Sequence, residues 1–306
     1  MPTFGHDTLA EKNNIRADLL ASIFVYAVAA FSNQAFGKEK VMDCKALGAS
    51  VAEHWVSRTS LPLLSPNLSM DQAVCIRDVF LAQIQPLMGR PLGYKAAVIT
   101  PPAQRDLGLK EPLGGIYLAA MFRPADGATI PVSYGARPIV EAKLLAIVKD
   151  EAINDAQTVE EAARSIAFLL PSIELGDSLV NVDQKITAPI LTVYNVGARA
   201  VLTGTPIPFD GTEAATEKLK RMTVTTRNVG SNTIVDQQNA EVIMGNPMNA
   251  VLWIVRNQHA RGVRLVAGDR LGLGAMSRIR PTPGLHIATI WEGFTPEPAV
   301  VEAVFR

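Results

Sequence analysis

Only two cysteines and four histidines occur in the 306 residues. Two thiols exclude a four-thiolate metal site. His6, His54, His259 and His286 show no metal-ligand spacing and are given no role. Charge of either sign is not in surplus, since 29 basic residues match 29 acidic ones. Without a basic excess, RNP-like aromatics or Cys/His fingers, nucleic acid is not the expected partner. The longest apolar run, Leu19 to Phe31, has 13 residues and is too short to span a bilayer. What remains is a globular composition: 48% hydrophobic, 19% charged, with 22 glycines and 20 prolines. That is too apolar for disorder and too punctuated for a helical rod.

The Leu19–Phe31 run fits the core of a secretory signal peptide. Lys12 and Arg16 precede it, and Ala35 and Gly37 supply small residues for a cut after Gly37. The competing reading is an amphipathic helix packed on the body, because Asp7, Glu11 and Asp18 dilute the positive charge. Cleavage would remove two of the 29 basic and three of the 29 acidic residues, leaving a net charge of +1. The expected location is then periplasmic or secreted; with the leader retained it is cytoplasmic. Cys44 and Cys75 are candidates for one disulfide pinning the new N-terminus, with two buried thiols as the alternative.

Leu47, Val51 and Trp55 recur at fourfold spacing, which predicts a helix over 44–57. A capping box of Ser69 and Gln72 opens a second helix that ends at Gly89–Gly93. From Tyr94 onward the pattern is strand-like and rich in turns. Residues 139–148 read as a buried strand. A capping box of Thr158 and Glu161 predicts a third helix reaching Pro171, followed by short strands near 173–181, 188–202, 220–228 and 239–244. Asn246-Pro247 opens a last helix, which closes at Gly262. The expected domains are a leader at 1–37, a helical N-terminal cap at 38–90 and a β-rich body at 91–306.

Several segments carry a resemblance, in order. They are Gly93-Tyr94-Lys95, Glu111 to Tyr117 (EPLGGIY), Val140 to Leu144 (VEAKL), Leu170 to Leu175 (LPSIEL) and Asn195-Val196-Gly197. Gly245 to Trp253 (GNPMNAVLW) and Ala267 to Met276 complete the set. Together they resemble the 2-keto-4-pentenoate hydratase branch of the fumarylacetoacetate hydrolase family. The resemblance implies an α+β fold with a β-rich mixed-sheet body under the helical cap, and assembly as a homo-oligomer. It also implies a lyase of aromatic catabolism, acting on small-molecule 2-oxo or 2-hydroxydienoic carboxylates. In that family three carboxylates hold a divalent cation, Mg²⁺ or Mn²⁺, which stabilises the enolate while water adds across a conjugated double bond.

By this resemblance Glu141 and Glu174 match the first and third metal carboxylates, and Lys95 matches the family's lysine. Lys143 stands where the second carboxylate is expected. Leu113 replaces an acidic residue near the substrate, and Gly197 replaces a serine. Metal binding is therefore expected to be weak or absent, with Lys95 and Lys143 as the catalytic candidates. The expected activity is that of a hydratase with an altered site. The alternatives are an exported binding protein for small 2-oxo carboxylates, and a 2-oxo acid decarboxylase or carbon–carbon hydrolase on the same fold.

Without the family, the ordinary reading of Glu141 and Lys143 is a solvent-facing pair on a surface strand, and burial of the strand is the competing one. The strand carrying Glu141 and Lys143 is apolar on both faces further along, so it is buried and its charges line a cavity or pair with each other. Asn249 and Trp253 read as packing and capping residues, and Asp269 as a turn residue.

Overall fold

The computed structural model describes residues 43–306 apart from Asp126, and Met42–Arg306 form one compact unit. The proposed leader lies outside the described residues. Helix α1 (Cys44–Ser57) begins where the Asp43 carboxylate accepts from the backbone N–H groups of Lys45 and Ala46. Helix α2 (Met70–Met88) opens on the complete Ser69/Gln72 capping box. Gly48 lies where α1 crosses α2, and a Cβ there would meet the Val79 side chain and the Ile76 carbonyl. Cys44 and Cys75 are disulfide-bonded, tying the start of α1 to α2. At the other end of α1, Trp55 packs tilted on Phe80 at 6.2 Å.

The body contains the strands β1 (Pro91–Ala97), β2 (Leu113–Leu118), β3 (Phe122–Pro124), β4 (Thr129–Ile130), β5 (Pro138–Val148), β6 (Ile166–Asp177) and β7 (Ala198–Thr203). These are followed by β8 (Ile207–Pro208), β9 (Thr223–Asn228), β10 (Thr233–Asn239), β11 (Arg270–Ala275), β12 (His286–Glu292) and β13 (Ala299–Phe305). Between them run α3 (Pro101–Asp106), α4 (Val159–Arg164), α5 (Ala188–Val193), α6 (Glu213–Lys220) and α7 (Pro247–Ala260). One mixed sheet has the order β2-β1-β11-β5-β6-β7-β3, with β8 also paired to β6; the other has the order β10-β9-β12-β13-β4. This is the α+β architecture expected.

The two long strands β5 and β6 are antiparallel partners at the centre of the larger sheet. Val140, Leu144, Leu145 and Ala146 on β5 and Ile173 and Leu175 on β6 are all buried. Truncating one such leucine to alanine would cost about 2–5 kcal/mol. The cap joins this core through Leu61, whose N–H donates to the Leu179 carbonyl, and through Arg199 of β7. Arg199 stacks over the Trp55 ring and donates from Nη2 to the Trp55 carbonyl.

Three expectations are corrected. Of residues 239–244, read as strand, only Asn239 ends a strand, and Ala240–Val242 form a single 3-10 turn. The helix opened by Thr158 and Glu161 stops at Arg164, and Ile166–Asp177 is strand, with Pro171 inside it. The proline falls where the outer partner of β6 changes, from β8 at Phe168–Leu169 to β7 at Ser172–Gly176, so its missing donor is tolerated. Residues 188–193, read as strand, form a helix that Thr187 caps by accepting from the N–H of Ile190.

Candidate functional site

A cavity of about 550 Å³ opens over one face of the larger sheet. Strand register builds its floor. Glu141 pairs directly with Glu174, and Lys143 with Ser172, so both members of each pair share a face. Lys95 pairs with Gly115 on one side and with Gly272 on the other. A Cβ at Gly115 would press on the Lys95 stem, and one at Gly272 would press on the Tyr117 hydroxyl and on Lys95. The two glycines let Lys95 and Tyr117 lean across β11 toward β6.

The side chains converge on Glu174, which is 1% exposed. Lys95 Nζ donates to Oε1 at 2.5 Å. Lys143 Nζ lies 2.9 Å from Oε2, and the Tyr117 hydroxyl donates to the same oxygen at 2.9 Å. Lys143 also approaches Glu141 Oε2 at 3.4 Å, and the Glu141 side chain is 18% exposed, the most open of the four charged groups. Two ammonium ions and two carboxylates make the cluster neutral.

Burial works against the charges on Glu174, Lys143 and Lys95, and the balance with the partners differs among them. Burial favours the neutral form of Glu174, but Lys143 and Lys95 outweigh it and hold its pKa down at about 2. Burial also opposes the charge on Lys143; Glu174 and Glu141 overcome it and raise the pKa. For Lys95 burial wins, despite Glu174, and its pKa is lowered. The Tyr117 phenol is pushed well up by burial and by Glu174, so it remains a donor.

Asn195, Val196 and Gly197 all have positive φ, at 56°, 51° and 73°. The Asn195 side chain holds this segment to β2, accepting from the Ile116 N–H and donating to its carbonyl. The Val196 carbonyl is thereby turned toward Lys95 Nζ, at 3.1 Å. Left-handed backbone at two successive non-glycine residues is strained, and here it positions an acceptor in the site. A Cβ at Gly197 would also crowd the Asp177 carbonyl.

Of the sequence-derived candidates, Lys95, Glu141, Lys143, Glu174 and Gly197 line this cavity. Leu113, expected as a substrate contact, is not among the residues lining it. It pairs with Ala97 on the face that carries Lys95, but its side chain is covered by packing. Sequence reasoning misses the roles of Tyr117 and Asn195. Tyr117 is within its reach from Gly115, because residues two apart share a strand face.

A divalent cation needs free carboxylate oxygens, and both oxygens of Glu174 are taken by cationic or phenolic donors. The Lys143 ammonium bridges Glu141 and Glu174, the two carboxylates that the resemblance assigns to an ion. Among the described residues no three His, Cys, Asp or Glu side chains are grouped to hold a metal. As they stand, these residues do not fit a divalent cation.

No family model matches the chain. It is 29% identical over 202 residues to a TodF product hydratase of Pseudomonas putida F1, covering 65% of this chain and 69% of that one. It is 25% identical over 221 residues to a 2-keto-4-pentenoate hydratase of Paraburkholderia xenovorans, covering 71% and 78%. In fold it is similar to 4-oxalocrotonate decarboxylase of Pseudomonas putida G7, complexed with magnesium and adipate. The TM-score is 0.76 at 16% identity, over 90% of this chain and all of that one. A fumarylacetoacetate hydrolase family protein of Yersinia pestis gives a TM-score of 0.51 at 14% identity, over 72% and 94%.

Proposed function

We propose that this chain, a relative of the 2-keto-4-pentenoate hydratases with the fumarylacetoacetate hydrolase fold, is a hydro-lyase for a short 2-oxo or 2-hydroxydienoic acid. It works without a bound divalent cation. Lys143 substitutes for the second metal carboxylate of the family and for part of the ion's charge.

The observation that carries this reading is the pair of ammonium groups on opposite oxygens of Glu174. Each lysine has three N–H donors and uses two within the protein: Lys95 on Glu174 and Val196, Lys143 on Glu174 and Glu141. Each keeps one donor, and both residues line the cavity. Two such donors suit the carboxylate and 2-oxygen of a 2-oxo acid.

In the reaction a proton leaves the 2-hydroxyl and another is added at the far end of the diene, giving a conjugated 2-oxo-3-enoate. Water then adds its hydroxyl at C4, and a proton is taken up at C3. Negative charge gathers on the 2-oxygen in both stages, where the fixed ammonium groups oppose it. Lys95, with its lowered pKa, is the group suited to exchange a proton with that oxygen. Glu141, the most open carboxylate, is suited to orient the attacking water. Two ammoniums are weaker charge stabilisers than a divalent ion, so turnover should be slow.

Loss of 2-hydroxypenta-2,4-dienoate absorbance, followed with and without EDTA, tests the reading. Slow turnover that EDTA does not change is expected. Turnover that requires added Mg²⁺ or Mn²⁺ overturns the cation-free site. Absent turnover with thermal stabilisation by 2-oxo acids would instead make the chain a binding protein, a reading supported by the mutual neutralisation of the four charges.

We also propose that residues 1–37 direct export to the periplasm or outside. The Cys44–Cys75 disulfide supports this, since such bonds persist in oxidising compartments.

A further inference from the structure

Arg278 is exposed, lines the same cavity and makes no salt bridge among the described residues. Strand pairing sets its place. Ala275 pairs with Lys143 and Ile279 bridges Val140, so Arg278 lies beside Glu141 on the neighbouring segment. From Lys143 to Glu141 is two residues of strand rise, and one strand spacing leads on to Arg278. The two cations therefore rise from backbone points about 8 Å apart.

The acidic groups nearby do not cancel it. The carboxylate of Asp177 accepts from the N–H groups of Ala136 and Arg137 and faces Arg199 at 3.6 Å. Asp236 sits on the edge strand β10, where Gln238 donates to it at 3.1 Å. The four charges on the floor sum to zero, so among the described residues lining the cavity the Arg278 guanidinium is the one cation left to answer a ligand's second negative charge. Tyr194, with its pKa near 12 through burial and with Arg278 opposing that rise, is a neutral donor in the same wall.

We propose that Arg278 is a specificity-determining residue that receives the far carboxylate of a 2-oxo dicarboxylic acid. The inference rests on the reading of Lys95 and Lys143 as the seat of the 2-oxo carboxylate end. The planar guanidinium offers two parallel N–H donors, which match a carboxylate better than a lysine would. A diacid of five or six carbons suits backbone points about 8 Å apart, from which both side chains reach into the cavity.

Calorimetric titration with pyruvate, 2-oxobutyrate, 2-oxoglutarate and 2-oxoadipate tests this. The unmutated protein should bind the diacids at least tenfold more tightly than the monoacids. Arg278→Gln should reduce that ratio about tenfold, and Arg278→Lys should reduce it less, with melting temperatures confirming that both variants are folded. Equal affinity for monoacids and diacids, or a ratio that survives Arg278→Gln, overturns the role of Arg278 and leaves the proposed site standing. No binding of any of the four acids overturns both.

Discussion

Glu141 and Glu174 stand directly opposite each other on adjacent antiparallel strands, and Lys143 reaches both carboxylates. Like charges in that position repel, and here Glu174 is buried and Glu141 half-buried. The ammonium between them makes the pairing tolerable. Lys143 is thus a structural requirement of this floor.

Replacing Lys143 by methionine should therefore be severe. Glu141 would lose its cation, Glu174 would keep only Lys95, and breaking a buried ion pair from one side costs about 3–5 kcal/mol. Lys143→Glu should behave differently. With a third carboxylate in place of the ammonium, calorimetry should detect Mn²⁺ binding, and the same titration of the unmutated protein should show none. At about 4 Å and an effective dielectric near 20, a +1/+2 repulsion of roughly 8 kcal/mol opposes the ion while Lys143 is present. Tight Mn²⁺ binding by the unmutated protein would refute the substitution.

Lys95→Met keeps the aliphatic stem between Gly115 and Gly272 and removes only the charged end. Affinity for pyruvate and any turnover of the dienoate should fall at least tenfold, while the fold persists. Unchanged affinity and unchanged turnover would remove Lys95 from the site.

Glu174 also sets a pH dependence. Its folded pKa of about 2 lies below the ordinary carboxylate value of 4.5. The stability it contributes is present above about 4.5 and is lost as the pH falls through the folded value near 2. Acid unfolding monitored by circular dichroism should steepen across that window. Glu174→Gln should flatten the slope while lowering stability at neutral pH. An identical slope in the variant would contradict the assignment.

The Cys44–Cys75 bond closes a loop across a sequence separation of 31. Reduction, or a double Cys→Ser change, should destabilise the chain by about 3–4 kcal/mol. Protein recovered from a bacterial periplasm should have the mass expected for cleavage after Gly37 and no thiols open to alkylation. A mass retaining the leader would sink the export proposal.

Much of the fold is legible where local chemistry is self-contained. The capping boxes at Ser69 and Thr158 and the Asn246-Pro247 start are written in adjacent residues, and all three open helices. The strand after Arg164 is not legible in this way, because its long pairing with β5 decides it and overrides an apolar run that could also be helical. The same division holds in the site. Lys95, Glu141, Lys143 and Glu174 lie in recognisable segments, and the structure brings them together. Arg278 owes its place to a segment running beside β5, and Tyr117 to a lean across Gly272. The strand alternation from Gly115 gives the face of Tyr117, but neither contact is encoded in nearby sequence.

The Val196 carbonyl that holds Lys95 belongs to the main chain, so no side-chain replacement can delete it. Val196 itself can vary in size and polarity without removing the acceptor, as long as it keeps its left-handed conformation. Control passes to the flanking residues: Asn195, whose amide fastens the segment to Ile116, and Gly197, which allows the turn. Mutational sensitivity should therefore peak on either side of the atom that touches the lysine, and be lowest at the residue that owns it.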